Sequence, residues 1–214
     1  NSTAGVIFNQ SAGGTVDNCT IDAWFGGVGI INSSDVNVTY CDLSGGPDGV
    51  GLYVNGTSGG RLWNNHVHDC WVLTVMEHVS GLNASFNTYE DASWGGISMW
   101  DTGGAVDIYD NTFHNTSRAI HAGDCSGVNV VMNDISNGTH GVYLENASDF
   151  EVRYNSIYDQ GWLCVGGDGL HHSSVSHNDM NHSIMGINLN SSYNLTVEDN
   201  LMWNFTNAAV YINN

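Results

Sequence analysis

The chain has 214 residues, of which 41% are hydrophobic and only 12% charged; 22 acidic residues face three basic ones, for a formal net charge of −19 at pH 7. Phosphate binding needs clustered Lys and Arg, so this balance excludes nucleic acid and disfavours anionic membranes and uronic-acid polymers as partners. No apolar run approaches the ~18 residues of a membrane-spanning helix, so membrane insertion is not expected either.

With 27 glycines, one proline and abundant Asn, Ser and Thr, the composition favours short strands joined by tight turns. The first alternating segment, Gly5-Val-Ile-Phe8, opens a unit that recurs along the chain. A marker slot falls in turn at Cys19, Cys41, Asn65, Asn87, Asn111, Asn133, Asn155, Asn178 and Asn200, at steps of 22–24 residues. Three residues before the slot stand Val16, Val38, Leu62, Ala84, Ile108, Val130, Val152, Val175 and Val197. Two residues after it stand Ile21, Leu43, Val67, Tyr89, Phe113, Ile135, Ile157, Met180 and Met202. Eleven residues before it the series is Phe8, Ile30, Val54, Met76, Trp100, Ala122, Leu144, Gly167 and Leu189, apolar except for the glycine.

Segments such as Gly141-Val-Tyr-Leu144 and Phe150-Glu-Val-Arg153 alternate with period 2, and Gly, Asn and Ser clusters separate them. One such unit cannot bury its inward residues alone. Stacking units about 4.8 Å apart buries them as ladders and pairs the backbone from unit to unit. The expectation is an all-β solenoid of about nine coils, a single domain over 1–214. Its last segment, Ala208-Ala-Val-Tyr-Ile212, reads as the opening strand of a tenth coil, so both ends are expected to be uncapped. The slot is expected at a corner, where Asn tolerates left-handed backbone. Asn65, Asn87, Asn111, Asn133, Asn155, Asn178 and Asn200 would form a structural ladder of hydrogen-bonded amides if they point inward.

Cys19 and Cys41 share a slot on consecutive coils, about 5 Å apart, and are expected to form a disulfide; two buried thiols are the alternative. Cys70, Cys125 and Cys164 fall in different columns, and alternation in Leu163-Cys-Val165 turns Cys164 outward. Asn-x-Ser/Thr triplets begin at Asn1, Asn9, Asn18, Asn32, Asn37, Asn55, Asn83, Asn115, Asn137, Asn146, Asn181, Asn190, Asn194 and Asn204. Asn-rich turns beside Ser and Thr create some of these automatically. Their number still makes them glycosylation candidates and points to an exported, extracellular protein.

The pattern Gly141-Val-Tyr-Leu-Glu-Asn-Ala-Ser-Asp-Phe-Glu-Val-Arg-Tyr-Asn-Ser-Ile157, repeated over essentially the whole chain, resembles the right-handed parallel β-helix superfamily with its pectin-lyase-like fold. Within it, the chain looks closest to the Asn-rich NosD-type repeat proteins, of the kind found in surface and sheath proteins of methanogenic archaea. The resemblance implies the fold and is nearly silent about activity. By analogy with disulfide-linked sheaths, an outward Cys164 would supply an intermolecular disulfide.

Relatives of this fold include lyases that use Arg or Lys on uronates, but here Arg61, Arg118 and Arg153 lie on separate coils. The carboxylates Asp107 with Asp110, and Asp149 with Glu151, form no compact acidic cluster. His66 and His68 share one face and His171 adjoins His172, but two ligands on a face are too few for a transition metal. No catalytic residue, metal site or cofactor is therefore expected beyond weak calcium binding at surface carboxylates. Trp24, Trp71, Trp94, Trp162 and Trp203 read first as packing or lateral contacts and second as rings for stacking on sugars. The chain is read as a non-enzymatic structural protein, its partner being itself, that assembles head to tail and laterally into a sheath, S-layer or filament. The alternatives are a carbohydrate-binding or carbohydrate-cleaving β-helix and an adhesion module of a larger surface protein.

Overall fold

The computed structural model describes residues 4–24 and 26–213 and contains two all-parallel sheets, one of fifteen strands and one of nine, with no helix among the described residues. The nine-stranded sheet takes one strand per coil, from Ala12–Asp17 to Thr196–Glu198. In the other sheet, four long strands (Asp42–Asn55, His66–Glu77, Thr88–Trp100 and Thr112–Gly123) run round a bend without a break. In later coils the same path is split, as in Asp134–Ser136 and His140–Glu145. The result is a parallel β-solenoid of about nine turns.

Register turns the sequence columns into ladders. Val16, Val38, Leu62, Ala84, Ile108, Val130, Val152, Val175 and Val197 are successive Cα partners. So are Ile21, Leu43, Val67, Tyr89, Phe113, Ile135, Ile157, Met180 and Met202. Both ladders belong to one hydrophobic cluster, in which Tyr89 and Phe113 stack with centroids 4.8 Å apart. Burying each Val, Leu or Ile contributes about 1.5–3 kcal/mol, and this is the main force that closes the coils. The third column departs from its fixed offset at one point. Met99, not Trp100, partners Met76 inward, and Trp100 turns outward beside Glu77. The 24-residue step from Asn87 to Asn111 carries two extra residues, one between Ala92 and Gly95 and one between Gly103 and Val106, and because the second lies after this strand, counting back eleven from Asn111 falls one residue short.

Coils bend at recurrent residues in the left-handed region. One such position directly precedes the marker slot: Asn18, Tyr40, Asn64, Phe86, Asp110, Met132, Tyr154, His177 and Asp199 all have φ between 51° and 58°. The left-handed residue is therefore the neighbour of the slot, not the slot itself. Asn and Asp bear this geometry readily, whereas Tyr, Phe and Met cost about 1–2 kcal/mol each. What holds them there is the slot. Each Asn side chain is turned inward, and Nδ2 donates to Oδ1 of the next at 2.9–3.0 Å from Asn65 through to Asn200. Each Nδ2 also reaches a core carbonyl of the previous coil, such as Ile108 O from Asn133 at 2.9 Å. The Oδ1 atoms accept backbone N–H groups, beginning with Cys41 N to Asn65 at 3.0 Å.

The cysteines follow the same corner logic. All five are free thiols, which corrects the expected Cys19–Cys41 disulfide. Cys19 Sγ donates to Asp17 O at 3.3 Å and Cys41 Sγ to Thr39 O at 3.2 Å. That is the bond to the carbonyl two residues back that Asn133, Asn155 and Asn178 also make from the slot. Cys164 is also corrected: it is fully buried, with Sγ 3.2 Å from Ser183 Oγ, and burial pushes its thiol up to about 11. Simple alternation fails there because the strand has just left a corner, and Leu163, Cys164 and Val165 are all covered.

Of the fourteen sequon asparagines, seven (Asn18, Asn32, Asn115, Asn137, Asn146, Asn194 and Asn204) are left-handed corner residues, so the fold itself accounts for their Asn. Asn181 is buried, with Nδ2 directed at Asp179, and is closed to glycosylation in the folded chain. Asn1 lies outside the described residues.

Asn133→Ala removes a donor to Ile108 O and an acceptor for Asn111 N in a dry interior. It is expected to cost about 2–4 kcal/mol in denaturant unfolding, against less than about 1 kcal/mol for the half-covered Asn200→Ala. Thiol titration of the native protein should label Cys19 and leave Cys70, Cys125 and Cys164 unmodified until denaturant is added, because their thiols are buried and hard to ionise.

Candidate functional site

With inward positions committed to ladders, chemistry falls to the outward columns. On four consecutive strands, His66–Glu77, Thr88–Trp100, Thr112–Gly123 and His140–Glu145, three such columns lie side by side. The first is Val72, Gly95, Arg118 and His140; the second Val75, Ser98, His121 and Tyr143; the third Glu77, Trp100, Gly123 and Glu145, continuing to Asp168.

His121 is the centre of this face. Its column points away from the core, yet the residue is only 2% exposed. Aromatic rings wall it in: Trp100 edge-on at 4.9 Å, Trp94 at 5.5 Å and Tyr143 at 5.8 Å between centroids. Trp100 can lean over the next coil because Gly123 has no side chain; a Cβ there would collide with the indole. Trp100 Nε1 donates to Ser98 Oγ at 3.1 Å, which fixes the ring's tilt. Arg118 lies over Trp94 at 5.2 Å and over Tyr143 at 5.8 Å, and Trp71 continues the aromatic surface 5.6 Å from Trp94.

Neither ring nitrogen of His121 has a hydrogen-bond partner, and Glu145 Oε2 stands 3.7 Å from Nε2, too far for one. Nδ1 of His140 is likewise unpartnered. A buried polar group without a partner costs about 1–3 kcal/mol, so such groups mark places kept for something other than stability. Burial lowers the His121 pKa, Arg118 lowers it further, and Glu145 opposes both. Burial and then Arg118 lower His140 as well. Both imidazoles are therefore neutral at pH 7 and free to accept a proton or a hydrogen bond. Glu145 and Asp168 are register partners on adjacent coils, which sets their backbones about 5 Å apart at the edge of this face. Burial and the nearby Glu145 and Asp168 raise the pKa of Tyr143, which stays a hydroxyl.

Sequence reading singled out Trp71, Trp94 and Arg118 separately, and the structure brings them together. It missed Trp100, His121, Tyr143, Glu145 and Asp168. The available signal was the outward column His121–Tyr143, aromatic and histidine where alternation demands solvent-facing residues. The pair Asp107 and Asp110 stays apart from this face. Asp107 accepts from Asn129 at 2.8 Å, while Asp110 is a left-handed corner residue. Glu151 pairs with Arg153 at 3.0 Å. On the nine-stranded sheet, a hollow of about 530 Å³ is lined by Asp35, Asn37, Arg61, Asn83, Phe86 and Tyr109, but no buried, unpartnered polar atom lines it.

A second cluster lies further back along the same strands. His66 and His68 face out together, their rings stacked at 4.4 Å, and Asp42 of the preceding coil is the register partner of His66. Asp42 Oδ1 is 2.9 Å from His66 Nδ1 and 3.2 Å from His68 Nε2. The expectation of too few ligands on this face is thus corrected: stacking adds a third from a residue 24 positions away.

The chain belongs to the right-handed β-helix family, whose model, described as the right handed beta helix region, matches residues 4–93 and 95–214. No curated protein matches the chain. Among solved structures, it is similar to a mutant DFA-IIIase from Arthrobacter chlorophenolicus A6 in complex with DFA-III (TM-score 0.73, 13% identity, 87% of this chain and 50% of that one). It is similar also to a mutant periplasmic alginate epimerase (0.67, 12%, 86% and 50%). A third is the enzymatically active domain of tailspike protein 2 of bacteriophage CBA120 (0.63, 10%, 89% and 36%). The chain spans about half the length of the first two, and at these identities the likeness establishes the fold. The expectation of a non-enzymatic chain is corrected to this extent: the three solved structures just described are enzymes, and nothing in the shared fold sets this chain apart from them.

His121 and His140 have lowered pKa values in the folded chain, so the unfolded chain binds more protons as pH falls. Their contribution to stability is whole above the ordinary histidine value near 6.5 and is lost as pH drops below it. Unfolding midpoints measured from pH 8 to 5 should fall, and His121→Asn should flatten that decline.

Proposed function

We propose that this protein is a carbohydrate-active β-helix that takes a neutral glycan on the outer face centred on His121. Trp71 and Trp94 offer ring faces for sugars to stack on, and Arg118 over Trp94 adds hydrogen-bond donors. Glu145 and Asp168 are the accessible groups able to exchange protons with sugar hydroxyls or a glycosidic oxygen, and His121 stands behind Glu145, with Nε2 3.7 Å from its Oε2. The observation that carries the reading is the outward, walled-in His121 with both nitrogens unpartnered beside a carboxylate pair. The carbohydrate context of the fold's solved enzymes, alginate epimerase among them, supports it. A net charge of −19 favours an uncharged glycan over a polyuronate. The sheath, S-layer or filament role gains no comparable support.

Affinity electrophoresis against a panel of neutral polysaccharides, with reducing ends assayed in parallel, tests this. Trp94→Ala should weaken retention by about 3–10-fold, the worth of one aromatic stack. Glu145→Gln should abolish release of reducing ends while retention persists. A wild-type chain that no neutral glycan retards, or a Trp94→Ala variant that binds as well as wild type, sinks the proposal.

A further inference from the structure

At Asp42, His66 and His68, one carboxylate oxygen and one nitrogen from each of two imidazoles converge on one spot of the outer face. Each imidazole faces a carboxylate at both of its nitrogens. His66 meets Asp42 through Nδ1 at 2.9 Å and Glu90 through Nε2 at 3.4 Å. His68 meets Asp42 through Nε2 at 3.2 Å and Asp69 through Nδ1 at 2.8 Å. Three carboxylates around two imidazoles leave a concentrated negative charge at one spot on the surface.

We propose that Asp42, His66 and His68 form a binding site for a divalent transition-metal ion, zinc(II) or a close analogue. The three ligand atoms all lie within 4.8 Å of one another. Tetrahedral ligands at zinc–nitrogen distances of about 2.0–2.1 Å stand about 3.3 Å apart, so the donors need only small shifts to enclose an ion. With Asp42 Oδ1, His66 Nδ1 and His68 Nε2 on the metal, the remaining N–H of His66 donates to Glu90 and that of His68 to Asp69. This is the carboxylate–histidine–metal arrangement that fixes ring orientation and raises ligand basicity. Two imidazoles select a borderline ion over calcium, which takes oxygen ligands. The half-exposed side chains leave the remaining coordination positions to water. Bound there, the ion would tie the strand Asp42–Asn55 to His66–Glu77. The proposal is independent of the glycan reading.

Titrating the whole chain with zinc(II), and with cobalt(II) as an optical probe, tests it by calorimetry and visible absorption. One ion per chain should bind, with cobalt bands of a nitrogen- and oxygen-ligated site and a rise in melting temperature. The double variant His66→Asn/His68→Asn should lose at least about 100-fold in affinity, and Glu90→Ala and Asp69→Ala about 10–100-fold each. His171→Asn/His172→Asn, which removes the other neighbouring histidine pair, should bind as wild type. Circular dichroism of each apo variant confirms that it is folded, and Glu90→Ala remains a test should the double variant fail to fold. No stoichiometric binding by wild type, undiminished affinity in the double variant or in both carboxylate variants, or equal loss in the His171 and His172 variant would each overturn the assignment.

Discussion

The whole structure depends on satisfying backbone groups at corners that are buried inside a solenoid. A chain that must turn repeatedly within 22–24 residues uses left-handed residues to do so, and each turn aims a carbonyl or an N–H into a space closed to water. The amides of Asn65 to Asn200 supply the missing partners, and because each links to the next coil, one ladder satisfies the corners and sets the vertical register together. Leaving such groups unpaired would cost about 1–3 kcal/mol apiece, enough over seven rungs to cancel the stability of a typical domain. Tyr40, Phe86, Met132 and Tyr154 are held left-handed by this ladder against their own preference.

A consequence is a division of labour between inside and outside. Inward columns tolerate little variation, since each side chain packs between its counterparts above and below. Outward columns are free of that constraint, and coils can place unlike residues next to one another there. On the face around His121, three strands bring two tryptophans, an arginine, two histidines, a tyrosine and a glutamate to one place, although the residues span positions 94 to 145. Rigid strands hold them, which limits the reorganisation needed when a ligand arrives.

The two candidate sites share the strands His66–Glu77 and Thr88–Trp100 but use different physics. Around His121, aromatic walls exclude water and keep imidazoles neutral. Around Asp42, half-exposed carboxylates outnumber the imidazoles and favour a cation. The thiols belong to neither: Cys19, Cys41, Cys70 and Cys125 each hydrogen-bond the carbonyl two residues back, acting as corner residues like the Asn they replace or accompany.

The sequence by itself determined the solenoid. Its 22–24-residue columns of apolar residues, with Asn at a fixed slot, have one physical solution, which is stacking, and two of the three columns match the observed register residue for residue. It also determined what the surface charge disfavours. Local rules failed where coil length varies or strands leave corners. The fixed offset put Trp100 in the core, alternation turned Cys164 to solvent, and a shared slot suggested a bond between Cys19 and Cys41 where each thiol instead meets its own carbonyl. Only the tertiary structure decided the sites. Asp42 reaches His66 across 24 residues, and Trp94, His121 and Glu145 come from three successive coils, because lateral neighbours in a solenoid are a full turn apart in sequence. No periodicity within one coil records which outward side chains will lean together.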